Sequence, residues 1–326
     1  MNSSSSHFRP PLLLSLAVPA VCGAFFFICP AASCRADDGA ASLEELKAKW
    51  ETQRSSIKTA RVTLRYLLVM ACKVSDETAE EAVQKWRAGL SSGQKQESLE
   101  KDVLHVLGDE CPSKWETLEV RVDGKQLWNK RTIGAGKTAS PHSQSAKTEE
   151  GEVWFMADNK QADMFGGRMP YKMNALEDLR RVPFLSDKAK VVGPAITKLP
   201  PRVIRIEDDG RQHTVDQKSG FATEFRAGSH FLSRQFDPAE FKGGVVFPRA
   251  RVDVLKSESI IINLIFLQLI SAEFNQPLEK SEFWIDAPAG VTVVDHRHPT
   301  QIITFRTEKE TKNLAGTINE LSPLNR

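Results

Sequence analysis

The sequence lacks an excess of either charge: 44 Lys and Arg stand against 42 Asp and Glu, a formal net charge of +2. Without a basic field there is nothing to grip nucleic-acid phosphates, so no nucleic-acid partner is expected. Also missing are CxxC pairs and any Cys/His cluster at zinc spacing, which argues against a structural metal site. The one GxSxG pattern, Gly89-Leu90-Ser91-Ser92-Gly93, falls at a break between helical runs and not at the strand-to-helix turn a nucleophile elbow needs. No strand–helix–strand alternation is visible, which excludes a doubly wound parallel sheet. No internal repeat stands out. Beyond the amino-terminal leader, the most apolar run covers residues 260–270, far short of the roughly 20 residues a membrane-spanning helix needs.

What is present is ordinary for a globular protein. The 326 residues are 40% hydrophobic and 26% charged, enough for one large domain or two smaller ones.

The amino terminus carries the clearest signal. Residues 1–11 are polar with Arg9 as the only side-chain cation, and residues 12–32 are nearly all apolar. The small residues Ala31, Ala32 and Ser33 follow, and polarity returns at Arg35 and Asp37. This is the layout of a secretory signal over residues 1–33, with a linker at 34–41. Pro19, Gly23 and Pro30 interrupt the apolar stretch and favour cleavage over a retained anchor. A third reading is lipidation: Ala31-Ala32-Ser33-Cys34 resembles a bacterial lipobox, though Ala31 stands where Leu is usual. The expected location is therefore outside the cytoplasm, in the periplasm or cell envelope, free or membrane-tethered. Three of the five cysteines belong to this leader region, leaving Cys72 and Cys111. In an oxidising compartment they are candidates for one disulfide, with two buried free thiols as the alternative.

Ser42 and Glu45 fit a capping box, and Leu43, Leu46 and Trp50 then recur at helical spacing. From Ile57 to Cys72 the period changes to two, which predicts a long strand with Val62, Leu64, Tyr66 and Leu68 on one side. Residues 74–115 return to helical spacing, broken at Ser91-Ser92-Gly93, and predict a helical insertion. Asp123-Gly124 and Asp209-Gly210 sit between alternating runs and predict tight hairpins. The polar segment 134–150 predicts an exposed loop, residues 174–181 a short helix, and SEFWIDAP a further strand. Pro248, inside an otherwise regular strand, marks an edge or a bulge.

Two polar clusters invite chemistry and fall short of it. Gly134-Ala135-Gly136-Lys137-Thr138 ends like a phosphate-binding loop, but Arg131 occupies the place of the first glycine. In Asp295-His296-Arg297-His298 the two imidazoles would share one side of an extended chain, yet no third ligand is indicated. No metal, cofactor or catalytic residue is expected.

The run at 260–270 is apolar on both faces and must be covered on both. A helix packed in a curved sheet is one cover; an apolar ligand is another, and the two are compatible. Were a ligand the second cover, Leu64, Tyr66, Leu68, Trp154, Ile261, Ile265, Leu267 and Leu269 would line it.

The succession HTVDQKSGFATEF, FKGGVVFPRARVDVL, apolar strand and SEFWIDAPAGVTVVD resembles the LolA/LolB-like superfamily of bacterial envelope proteins, as does KWETQRSSIKTARVTLRYLL earlier. The resemblance covers roughly residues 43–73 and 116–298 and involves no catalytic motif. It implies a mainly β or α+β fold, a curved antiparallel sheet forming an unclosed β-barrel around a helical lid. The domain would span residues 42–300, with a strand and polar tail at 301–326. It also implies a non-catalytic exported protein binding a lipid or a lipoprotein acyl chain. Alternatives are a module that docks another envelope protein and an extracytoplasmic hydrolase.

Overall fold

The computed structural model describes residues 43–124, 126–134, 138–166, 185–192, 203–216, 219–242, 245–257, 260–298 and 300–322. The signal segment, linker, Cys34 and the expected helix at 174–181 lie outside these residues, as do the side chains of Arg54, Ala71 and Cys72.

The chain opens with α1 (Leu43–Ser56) and β1 (Thr59–Val74), then α2 (Asp76–Ser91) and α3 (Gln96–Leu107). A meander follows: β2 (Ser113–Asp123), β3 (Gln126–Ile133), β4 (Ser140–Thr148), β5 (Gly151–Met156) and β6 (Gln161–Phe165). The second meander is β7 (Lys190–Val192), β8 (Val203–Asp208), β9 (Arg211–Asp216), β10 (Ala222–Ala227), β11 (Phe231–Phe241), β12 (Val245–Ser257) and β13 (Ile260–Phe274). A 3-10 turn (Lys280–Phe283), β14 (Thr292–Asp295), β15 (Ile303–Arg306) and α4 (Leu314–Leu321) complete it.

All these strands form one curved sheet in the order β15-β14-β6-β5-β4-β3-β2-β1-β13-β12-β11-β10-β9-β8-β7. The two meanders run outward from the central β1–β13 pair, and every pairing is antiparallel except β14 with β6. Edge strands β15 and β7 do not pair with each other, so the barrel is unclosed among the described residues.

Local chemistry explains the boundaries. Ser75 caps α2 by accepting from the Thr78 N–H, and Asp76 and Glu77 sit in its positive first turn. Gly93, at φ +70°, separates α2 from α3. Asp209 and Gly210 both take positive φ, as a two-residue hairpin of matching twist requires. The other hairpin pairs Asp123 with Gln126, so Asp123 belongs to the ladder and the turn starts at Gly124, one step later than expected. Pro248 pairs with Pro238 of β11, while the β12–β13 ladder begins only at Ala250. The missing donor of proline therefore costs no bond there.

Three local expectations are corrected. Residues 140–148 form β4 rather than a loop, because ladders from β3 and β5 satisfy a polar backbone that has little apolar content of its own. SEFWIDAP is not a strand. It begins in the 3-10 turn, where Glu279 and Glu282 make a reciprocal capping box. Within the segment read as a polar tail, α4 buries Leu314, Ala315 and Ile318.

The sheet has two differently covered faces. On one, the α2–α3 insertion packs Ala82, Trp86, Leu99 and Val103 onto Leu67, Val69, Leu264 and Phe266. Trp86 is fully buried, 5.2 Å from the Phe266 ring and 6.0 Å from Trp115. Ion pairs from Arg234 to Glu80 and from Lys256 to Asp76 pin α2 to β11 and β12. Further along the same face, Phe283, Ile285 and α4 cover Val153, Phe155 and Val293. On the opposite face, α1 lays Leu46 and Trp50 over Ile206, Val215 and Ala222 of β8–β10.

Candidate functional site

Directly paired residues in a sheet project to the same side, so the register carries a face from strand to strand. Leu64, Tyr66 and Leu68 of β1 pair with Leu269, Leu267 and Ile265 of β13. These six expected lining residues thus share one face, the one bearing α1. They form a continuous apolar strip at the centre of the sheet. Leu64, Ile265 and Leu267 are buried, whereas Tyr66, Leu68 and Leu269 remain partly exposed. The cluster around Leu64 and Leu267 is built from strand side chains and Ile57 alone; no residue of a helix joins it among those described.

Two expected members fall elsewhere. Ile261 packs in the cluster under the insertion, on the opposite face. The register slips between Leu255 and Lys256 and again between Met70 and Val74, and each slip exchanges the faces of the residues beyond it. Trp154 does lie on the strip's side, through Asn129 and Ser145, but four strands from β1. At about 4.8 Å per strand that is about 19 Å away.

The strip is bordered by buried polar groups that period-two reading treats as solvent-facing. Asp253 pairs with Ile265, Arg251 with Leu267, and on β11 Ser233 and Gln235 pair with Asp253 and Arg251. All four are buried. Arg251 donates to Asp253 at 2.6 Å. On the other border, Glu116 pairs with Tyr66 and binds Lys114 at 2.6 Å and Arg131 at 3.5 Å.

His213 of β9, two strands beyond β11, is buried against Phe225 of β10 with ring centroids 5.0 Å apart. Burial depresses its pKa to about 4, against the opposing pull of Asp208, with Arg211 adding to the depression. Ser233 reaches His213 only through the intervening Phe225, two strand spacings or about 10 Å. A hydroxyl and an imidazole so far apart do not make a nucleophile–base pair.

The histidine cluster does not converge. Asp295 is fully buried and held by Arg297 and Ser322; His296 stacks on Phe165 and meets Asp163 at 2.9 Å; His298 contacts Thr300. No group of three His, Cys, Asp or Glu suited to a metal occurs among the described residues. Among the described residues Cys111 forms no disulfide, and its Sγ donates to the Leu107 carbonyl oxygen at 3.4 Å. No helix among the described residues is long and apolar enough to cross a membrane.

No family model matches the chain, and no curated protein does. Among solved structures it is similar to an outer membrane lipoprotein-sorting protein domain from Vibrio parahaemolyticus. Identity is 8%, with 73% of this chain and 94% of that one covered, at a TM-score of 0.41. It is also similar to an uncharacterized conserved protein from Thermus thermophilus, at 8% identity, 78% and 98% coverage and a TM-score of 0.31.

Proposed function

We propose that the chain is an exported, non-catalytic envelope protein that holds an apolar ligand, a lipid or a lipoprotein acyl chain, along the central strip of its sheet. The observation that carries this reading is an asymmetry. The β1–β13 pair is apolar on both sides, and among the described residues helix side chains join the apolar cluster of only one of them, the side under α2 and α3. On the other side Tyr66, Leu68 and Leu269 keep partial access to solvent. Apolar side chains held together and only partly covered favour a ligand that removes the remainder from water. The insertion is needed to cover the sheet, which weighs against a docking arm as its main role. The amino-terminal segment supports export, with retention decided by cleavage, by lipidation at Cys34 or by an uncleaved anchor. Pairing of Cys72 with Cys111 would tie the base of the insertion, and intact-mass measurement before and after alkylation tests both points.

Binding of a fluorescent fatty acid to the full chain tests the ligand. Leu68→Asp and Leu269→Asp, at partly exposed positions, should weaken uptake at least about tenfold, since each places a carboxylate against the acyl chain. Ile302→Asp, at an exposed residue beside the edge strand β15, should leave it unchanged. A wild-type chain that binds no apolar probe and carries no co-purifying lipid would end this reading.

A further inference from the structure

The face opposite the strip carries a polar gap between its two helical covers. On β1 the row at Leu67, paired with Phe266 and Trp115, lies under the α2–α3 insertion. Further along the strand, Arg61 donates to Glu282 of the 3-10 turn at 2.6 Å. Between them stand Arg65 and Thr63, which share that face because alternate strand residues do. The register extends the row sideways: Arg65 pairs with Gln268 of β13 and with Thr117 of β2. Paired side chains lie about 5 Å apart, so these three are immediate neighbours, with Thr63 about 7 Å along the strand. None of the four belongs to an apolar cluster.

Arg65 is a cation without a counter-ion. Arg61, Arg251 and Arg297 each hold a carboxylate at 2.6 Å. Arg65 makes no ion pair or hydrogen bond among the described residues, and its Nε is buried. Burial lowers its pKa, with no neighbouring charge acting the other way. The carboxylate one row away, Glu119, pairs with Thr63 and lies 3.9 Å from Arg121. The Thr63 and Thr117 hydroxyls and the Gln268 amide are likewise unbonded among the described residues. A partly buried guanidinium with no counter-charge is unfavourable, and its retention calls for an explanation.

We infer that Arg65, Thr63, Thr117 and Gln268 form a site for a phosphate-type oxyanion, independent of the apolar strip on the other face. The guanidinium fork presents two parallel N–H groups to two oxygens of one anion. A carboxylate would use both its oxygens there and leave the flanking donors idle. A tetrahedral anion has further oxygens for the two hydroxyls and the amide N–H, which stand on either side of the fork. It also brings the negative charge that the sheet does not supply.

The experiment is thermal unfolding and calorimetric titration of the full chain with sodium phosphate, against acetate and chloride at equal ionic strength. Phosphate should raise the melting temperature saturably and bind at least about tenfold more tightly than acetate. Arg65→Met should lower phosphate affinity at least about tenfold, and Thr117→Val, which removes one hydroxyl and keeps the shape, about threefold. Arg65→Lys keeps the charge without the fork; it should lose about fivefold and serves where the methionine variant does not fold. Lys190→Gln, at an exposed cation on edge strand β7, should bind phosphate as the wild type does. Vesicles of phosphatidylglycerol, with phosphatidylcholine vesicles as control, separate the sources. Co-sedimentation with the anionic vesicles that phosphate reverses identifies a lipid head group; phosphate binding without it identifies a free oxyanion. No saturable effect of phosphate beyond chloride, equal binding of acetate, or full affinity in the Arg65 variants would overturn the site.

Discussion

Arg251 and Asp253 stand two residues apart on β12, bonded at 2.6 Å, with side chains 8% and 2% exposed. A pair buried this deeply is costly to break and easy to replace. Asp253→Ala removes the carboxylate bonded to a buried guanidinium and should cost about 3–5 kcal/mol, read from the urea midpoint. Replacing both residues by Leu should restore most of that loss. If Asp253→Ala costs no more than a surface substitution, the pair is not desolvated.

Trp86 ties the insertion to the sheet. Its ring lies between Phe266 of β13 and Trp115 of β2 and is fully buried. Trp86→Ala should cost about 3–5 kcal/mol through lost contacts and the cavity left behind. Because Leu67, Val69, Leu264 and Phe266 depend on the same cover, the variant should also bind a hydrophobic dye such as ANS. A dye-silent variant of wild-type stability would show that the insertion is not a cover.

His213 makes stability fall with acid in a window of its own. Its folded pKa of about 4 lies below the ordinary histidine value, so the unfolded chain binds the proton more readily. Stability from this group is complete above about pH 6.5 and declines as pH falls toward 4, by about 3 kcal/mol in all. The charges that act on it are Asp208, which opposes the shift, and Arg211, which adds to it. His213→Leu should flatten the urea midpoint between about pH 6.5 and 5, above the range where carboxylates titrate. A wild-type midpoint constant across that interval would contradict the burial assigned to this imidazole.

How much of this could be read in the residues depends on the kind of signal. Leu64, Tyr66, Leu68, Ile265, Leu267 and Leu269 were assignable to one face because side-chain period in a strand is a local property. Ile261 was not, because a register slip is set jointly by two strands and leaves no mark in one of them. The α2–α3 break was legible in Ser91-Ser92-Gly93, since a turn writes its own residues into the chain. β4 was hidden, because its polar residues are ordered by neighbours on both sides. Arg251 and Asp253 were hidden for a related reason. Charged residues alternating in PRARVDVL look like a solvent face until another element covers them.

Asp295 gives a separate test of the carboxy-terminal packing. The side chain is completely buried; Arg297 donates to both its oxygens at 2.9 and 2.6 Å, and the Ser322 hydroxyl donates at 2.8 Å. Arg297 also reaches Asn319 of α4, so the carboxylate joins the end of β14 to that helix. Burial pushes the Asp295 pKa up, but the bonds from Arg297 and Ser322 outweigh it and hold it below the usual aspartate value. Its contribution is therefore present above about pH 4 and is lost as pH falls through the lower folded value. Ser322→Ala should cost about 1 kcal/mol and Asp295→Ala about 3 kcal/mol. The larger loss should come with protease sensitivity in residues 307–322, because Leu314 and Ile318 would no longer be held against Val153 and Val293. Equal losses in the two variants would mean that the hydroxyl alone fastens α4, with Arg297 contributing nothing to the joint.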